Sequence, residues 1–90
     1  MRFAHKGLQA LYEHGRTSGL PQDLVPRIRR ILADLDAAVR PGDLDIPGYR
    51  LHPLKGDRAG QWSVRASGNR RIVFRFKDGV AVEVDLVDYH

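Results

Sequence analysis

Apolar positions in the first forty residues recur every three to four places, and from Tyr49 onward they recur every second place. Leu8, Leu11 and Tyr12 fall at helical spacing and Gly15 supplies a left-handed stop, so a first helix is expected over roughly residues 6–14. Phe3 belongs to a short extended start, and Gly19-Leu20-Pro21 reads as a turn. A longer helix follows, with Leu24, Ile28, Ile31, Leu35 and Val39 in one stripe that Leu32 widens. Pro26 lacks the N–H that a helix interior needs, so it must lie in the first turn. Asp23 as N-cap would put it at the third helical position, and Arg40-Pro41-Gly42 would end the helix.

The second half alternates. Tyr49 and Leu51 alternate with Arg50 and His52, and Trp62, Val64 and Ala66 alternate with Gln61, Ser63 and Arg65. After a Ser67-Gly68-Asn69 turn, Ile72, Phe74 and Phe76 alternate with Arg71, Val73 and Arg75. Asp78-Gly79 is a hairpin signal, and beyond it Val80, Val82, Val84 and Leu86 alternate with Ala81, Glu83, Asp85 and Val87. The expected fold is α+β: two N-terminal helices on one face of a mainly antiparallel sheet of about four strands. The same alternation puts Arg50, His52, Ser63, Arg65, Arg71 and Arg75 on the face left open.

Length and composition narrow the classes. Ninety residues, 42% of them hydrophobic, suffice for one two-layer domain over residues 1–90, with no room for a separate cofactor domain. No apolar run approaches the roughly 18–20 residues of a membrane span. No apolar segment of signal-peptide type follows Met1. The absence of cysteine removes disulfides, zinc–thiolate sites and thiol chemistry, and fits a cytoplasmic protein. The net charge of +4 is unevenly spread. Between Arg50 and Lys77 stand eight basic residues against the single acid Asp57, and the remainder of the chain is acidic on balance. A concentrated basic segment in a small domain is the electrostatic footprint of a polyanion binder.

Two motifs carry candidate chemistry: Leu51-His52-Pro53-Leu54-Lys55-Gly56-Asp57 and Val87-Asp88-Tyr89-His90. Metal-free RNA cleavage needs a base for the 2′-OH, an acid for the leaving 5′-oxygen, and cations for the charge gathered on phosphorus. Histidine suits proton transfer, having an unperturbed pKa of about 6.5, and arginine meets phosphate with a planar fork. His52, Asp88, Tyr89 and His90 could supply the first two needs, and Lys55 and Arg71 the third. Plainer uses exist for each. His5 and His14 read as ordinary surface residues. Arg65, Arg71 and Arg75 could pair with Glu83 and Asp85 across the sheet. No histidine pair has the helical i, i+4 spacing or near carboxylate that would argue for a metal.

The same motifs carry a resemblance. His5-Lys6-Gly7-Leu8, Arg50 to Asp57, Gln61-Trp62-Ser63-Val64, Asn69 to Phe76 and the closing Asp88-Tyr89-His90 resemble, nearly end to end, the HigB family of plasmid-maintenance killer proteins in the RelE/ParE superfamily. The resemblance implies a RelE-like microbial RNase fold and a toxin that cuts mRNA codons in the ribosomal A site, leaving a 2′,3′-cyclic phosphate and a 5′-hydroxyl. It implies no cofactor. It carries active-site roles onto His52, Asp88, Tyr89 and His90 and phosphate contacts onto Lys55 and Arg71. Arg50, Arg65, Arg70 and Arg75 would extend the RNA surface. Arg70 stands where the family commonly has an aromatic. The implied partners are a HigA-like helix-turn-helix antitoxin, the ribosome and mRNA. Two other classes share the fold or the charge: a ParE-like gyrase inhibitor, and an RNA- or ribosome-binding module without catalysis.

Overall fold

The first helix, α1 (Lys6–His14), is bounded by its own sequence at both ends. His5 is extended at φ −111°, and its Nδ1 accepts the Leu8 N–H at 3.1 Å, filling one of the donors that a helix start leaves open. At the other end Gly15 adopts φ 70° and donates its N–H to the Leu11 carbonyl at 2.9 Å. Gly7 sits against Gly19, and a β-carbon on Gly7 would stand 2.7 Å from the Gly19 carbonyl oxygen. The His-Lys-Gly-Leu motif is therefore a capping and packing device. The computed structural model describes residues 1–88.

The second helix, α2 (Val25–Ala37), differs from the expectation at both ends. A 3₁₀ turn over Gln22–Leu24 leads into it, closed by the Leu24 N–H on the Pro21 carbonyl. The cap position consequently falls on Leu24 rather than Asp23, and Pro26 lies one place closer to the start. The helix also stops before Val39, because the Asp43 carboxylate takes the Val39 N–H at 3.0 Å. Val39 is 61% exposed and is not part of the stripe. A second 3₁₀ turn, Pro41–Leu44, follows.

Four antiparallel strands run in the order β1 (His52–Pro53), β2 (Trp62–Arg65), β3 (Arg70–Lys77) and β4 (Val80–Asp88). The N-terminal segment adds a parallel bridge, Phe3 to Val84, along β4. Asp78 and Gly79 both take positive φ, as a two-residue hairpin turn requires. The helices cover one face, where Leu8, Ile28, Ile31 and Leu35 meet Val64, Ile72, Phe74 and Val84 in one core. The α+β architecture is thus as expected. Among the described residues no helix is long and apolar enough to cross a membrane.

The alternation expected for β4 is corrected by a bulge. Val73 pairs with Asp85 and Arg75 with Val82, so Phe74 alone faces Glu83 and Val84. One extra residue reverses the parity of a strand. Before the bulge Ala81 points inward and Val80 is 44% exposed; after it Val84 points inward. Glu83 absorbs the distortion at φ 53°. Nor does a regular strand begin at Tyr49: β1 is two residues long, and Arg50, two residues ahead of it, is left-handed at φ 51°.

Tyr49 fastens this entry to the helical layer. Its side chain is buried, and its hydroxyl donates to the Asp34 carboxylate on α2. Arg27, also from α2, lies 4.8 Å over the Tyr49 ring and donates to the carbonyls of Gly48 and Arg65. Burial, then the Asp34 hydrogen bond, pushes the Tyr49 hydroxyl up to about 12. A folded-state pKa above the unfolded value of about 10 stabilises the fold fully below pH 10, and that contribution is lost as pH rises toward 12. Tyr49→Phe is expected to lose less stability than the parent protein between pH 10 and 12, measured by urea denaturation across that range. Parallel alkaline profiles would rule out Tyr49 as the source.

Candidate active site

The open face of the sheet can be read row by row from its register. His52 pairs with Ser63, Ser63 with Val73, and Val73 with Asp85, so these four side chains form one row across the sheet. Arg65, Arg71 and Val87 form the next. Arg65 and Arg71 stand directly opposite one another with like charge, and they diverge. The Arg65 guanidinium turns back to the Ser67 carbonyl. The Arg71 guanidinium turns down the sheet, where Nε donates to Ser63 Oγ at 2.7 Å and Nη2 to the Arg50 carbonyl at 2.7 Å.

That turn builds one side of a groove of about 590 Å³ lined by Arg50, Leu51, His52, Leu54, Lys55, Ser63 and Arg71. The groove brings together four residues singled out in the sequence: His52, Lys55, Arg71 and Arg50. His52, Lys55 and Arg50 are exposed and Arg71 is half-buried. An imidazole beside three cations, with Leu51 and Leu54 as an apolar wall, can hold a phosphodiester, offer a proton donor or acceptor beside it, and pack a base or sugar alongside.

Four others lie outside this lining. Arg75 is ion-paired to Glu83 at 2.7 Å, and its guanidinium rests on Gly60, where a β-carbon would come within 2.7 Å. Arg70 pairs in register with Asp88 and meets its carboxylate at 3.5 Å. Arg70 and Asp88 lie two residues beyond Ile72 and Leu86, on the same helix-facing side, so strand parity turns them away from the Arg71 row. Arg65 shares that row, directed at its own turn. Tyr89 and His90 lie outside the described residues.

The alternation signalled that Ser63 would be off the core face, but not that it would be fully buried there beneath Arg71. Its register position opposite His52 and Val73 is the signal that locates it. Arg50 was legible as a cation, whereas its left-handed backbone and its carbonyl's role were not. A non-glycine residue in this region costs about 1–2 kcal/mol. Arg50→Gly is therefore expected to be more stable than Arg50→Ala by about 1 kcal/mol in chemical denaturation, although both remove the guanidinium. Equal stabilities, or a more stable alanine variant, would show that position 50 carries no backbone strain.

A family model described as the RelE-like toxin of the type II toxin-antitoxin system HigB matches residues 1–90. The chain is 48% identical over 88 residues to the protein named Endoribonuclease HigB from Proteus vulgaris, with 98% of this chain and 96% of the relative covered. It is 35% identical over 88 residues to Toxin HigB-1 from Vibrio cholerae serotype O1, with 96% and 93% covered. Among solved structures, YafQ from E. coli superposes with a TM-score of 0.56 at 11% identity, over 97% of this chain and 89% of that one. A YoeB/ParE toxin from Agrobacterium tumefaciens gives a TM-score of 0.58 at 22% identity, over 99% and 96%. At these identities the two structures speak for the fold.

Proposed function

The chain belongs to the HigB-like toxins, the RelE-like toxins of type II toxin–antitoxin systems, and on that premise we propose that it is a ribosome-dependent mRNA endonuclease cutting A-site codons without a metal. It is an endoribonuclease toxin with an antitoxin as partner. In this proposal residues 1–90 form one toxin domain, which acts in the cytoplasm and is neutralised by a HigA-like helix-turn-helix protein.

The observation that carries it is the shared groove of His52, Lys55, Arg50 and Arg71. In the proposed reaction the 2′-oxygen attacks the adjacent phosphorus, its proton passes to a base, and the bond to the 5′-oxygen breaks as an acid protonates it. The products are a 2′,3′-cyclic phosphate and a 5′-hydroxyl. Arg71 and Lys55 would hold the non-bridging oxygens, whose negative charge is greatest in the transition state. His52 or His90 would transfer a proton as general acid, with His90 or Asp88 as base and Tyr89 stacking on or orienting a base. Arg50 and Arg65 would follow the RNA backbone, while Arg70 and Arg75, held by Asp88 and Glu83, would serve the scaffold.

Mapping transcript 5′-ends after induction tests the reading. New 5′-hydroxyl ends at codon-phased positions within translated regions, lost when translation initiation is blocked, are expected. Cleavage that persists on ribosome-free RNA would remove ribosome dependence. DNA breaks with intact mRNA would favour gyrase inhibition instead.

A further inference from the structure

We propose that Ser63 is a positioning residue for Arg71: its buried hydroxyl and the Arg50 carbonyl grip one edge of the guanidinium and set the plane in which it meets the phosphate. The inference rests on the groove being the nuclease site. Serine is an uneconomical choice for a strand interior, where a β-branched or apolar residue fits better. Ser63 is 0% exposed, and a buried hydroxyl is tolerated only when hydrogen-bonded. Its Oγ accepts from Arg71 Nε at 2.7 Å, while Arg71 Nη2 reaches the Arg50 carbonyl at 2.7 Å.

Those two nitrogens form the side-on edge of a planar fork, and two bonds on one edge fix its rotation. Both of these acceptors are uncharged, and between them they orient the guanidinium. On the same sheet Arg75 is held by Glu83 and Arg70 by Asp88. The left-handed turn at Arg50 belongs to the same device, since its carbonyl is the second acceptor. Backbone strain of this kind collects where a group must be held in place.

The test is cleavage kinetics on mRNA-programmed ribosomes with the parent protein, Ser63→Ala, Ser63→Thr, Arg71→Ala and the Ser63→Ala/Arg71→Ala double variant. Ser63→Ala should lower kcat by roughly 10- to 100-fold, the scale of a misplaced contact, with KM within about twofold because the cation remains. Ser63→Thr, which keeps the hydroxyl, should stay within about threefold of the parent kcat. The double variant should be no slower than Arg71→Ala alone, because a positioner has nothing left to position. Unchanged kcat in Ser63→Ala, a threonine variant as slow as alanine, or losses that multiply in the double variant would each overturn the proposal. A parent protein that leaves ribosome-bound mRNA intact would instead sink the nuclease reading beneath it.

Discussion

His52→Gln is expected to lower the cleavage rate on programmed ribosomes by about 10²–10⁴-fold, the usual contribution of a positioned acid or base, and to abolish growth arrest on overexpression. Glutamine keeps the bulk and a hydrogen-bonding nitrogen but cannot exchange a proton near neutral pH. His52 is exposed, sits on a two-residue strand, and has Ser63 as its partner across the sheet, so the change removes little packing. The melting temperature should therefore stay within a few degrees of the parent value. Ribosome binding should also persist, because Lys55, Arg50 and Arg71 remain and long-range attraction to RNA depends on their charge. A glutamine variant cutting within about threefold of the parent rate would remove His52 from the proton-transfer step.

The layers of the fold were readable because two periods, 3.6 and 2, divide the chain cleanly at its middle. The departures have local causes that composition does not encode. Asp43 takes the N–H that would have continued α2 through Val39. A single extra residue at Glu83 turns Ala81 inward and Val80 outward, and no glycine marks the place. The groove was half legible. Alternation located His52, Arg50 and Arg71 on the open face, and the motif around Leu54 supplied Lys55. Which arginines serve the groove and which serve the scaffold was decided by partners distant in sequence: Glu83 for Arg75, Asp88 for Arg70, and Ser63 with the Arg50 carbonyl for Arg71. Charge clustering cannot separate these cases, since each residue adds the same charge to the segment.

The opposite kind of variant separates scaffold from chemistry. Phe74→Ala is expected to cost about 3–5 kcal/mol, the range for deleting a buried aromatic. Phe74 is 0% exposed, faces both bulge residues of β4, and meets Phe76 edge to face with ring centroids 5.8 Å apart. The bulge gives the site little freedom to collapse, because β4 is held there by the Arg75–Glu83 ion pair on one face and by Val84 in the core on the other. Small domains are stable by only about 5–15 kcal/mol, so the variant should melt roughly 15–30 °C below the parent. None of the groove's lining side chains is altered. At a temperature where the variant is still folded, its kcat should remain within about threefold of the parent. The two variants then give crossed outcomes, His52→Gln losing turnover at constant stability and Phe74→Ala losing stability at constant turnover. A Phe74→Ala protein that unfolds within about 1 kcal/mol of the parent would mean that the two layers are not packed around this ring. A cold, folded variant that has lost turnover would mean that the groove depends on the core beneath it more closely than the register of β2 and β3 implies.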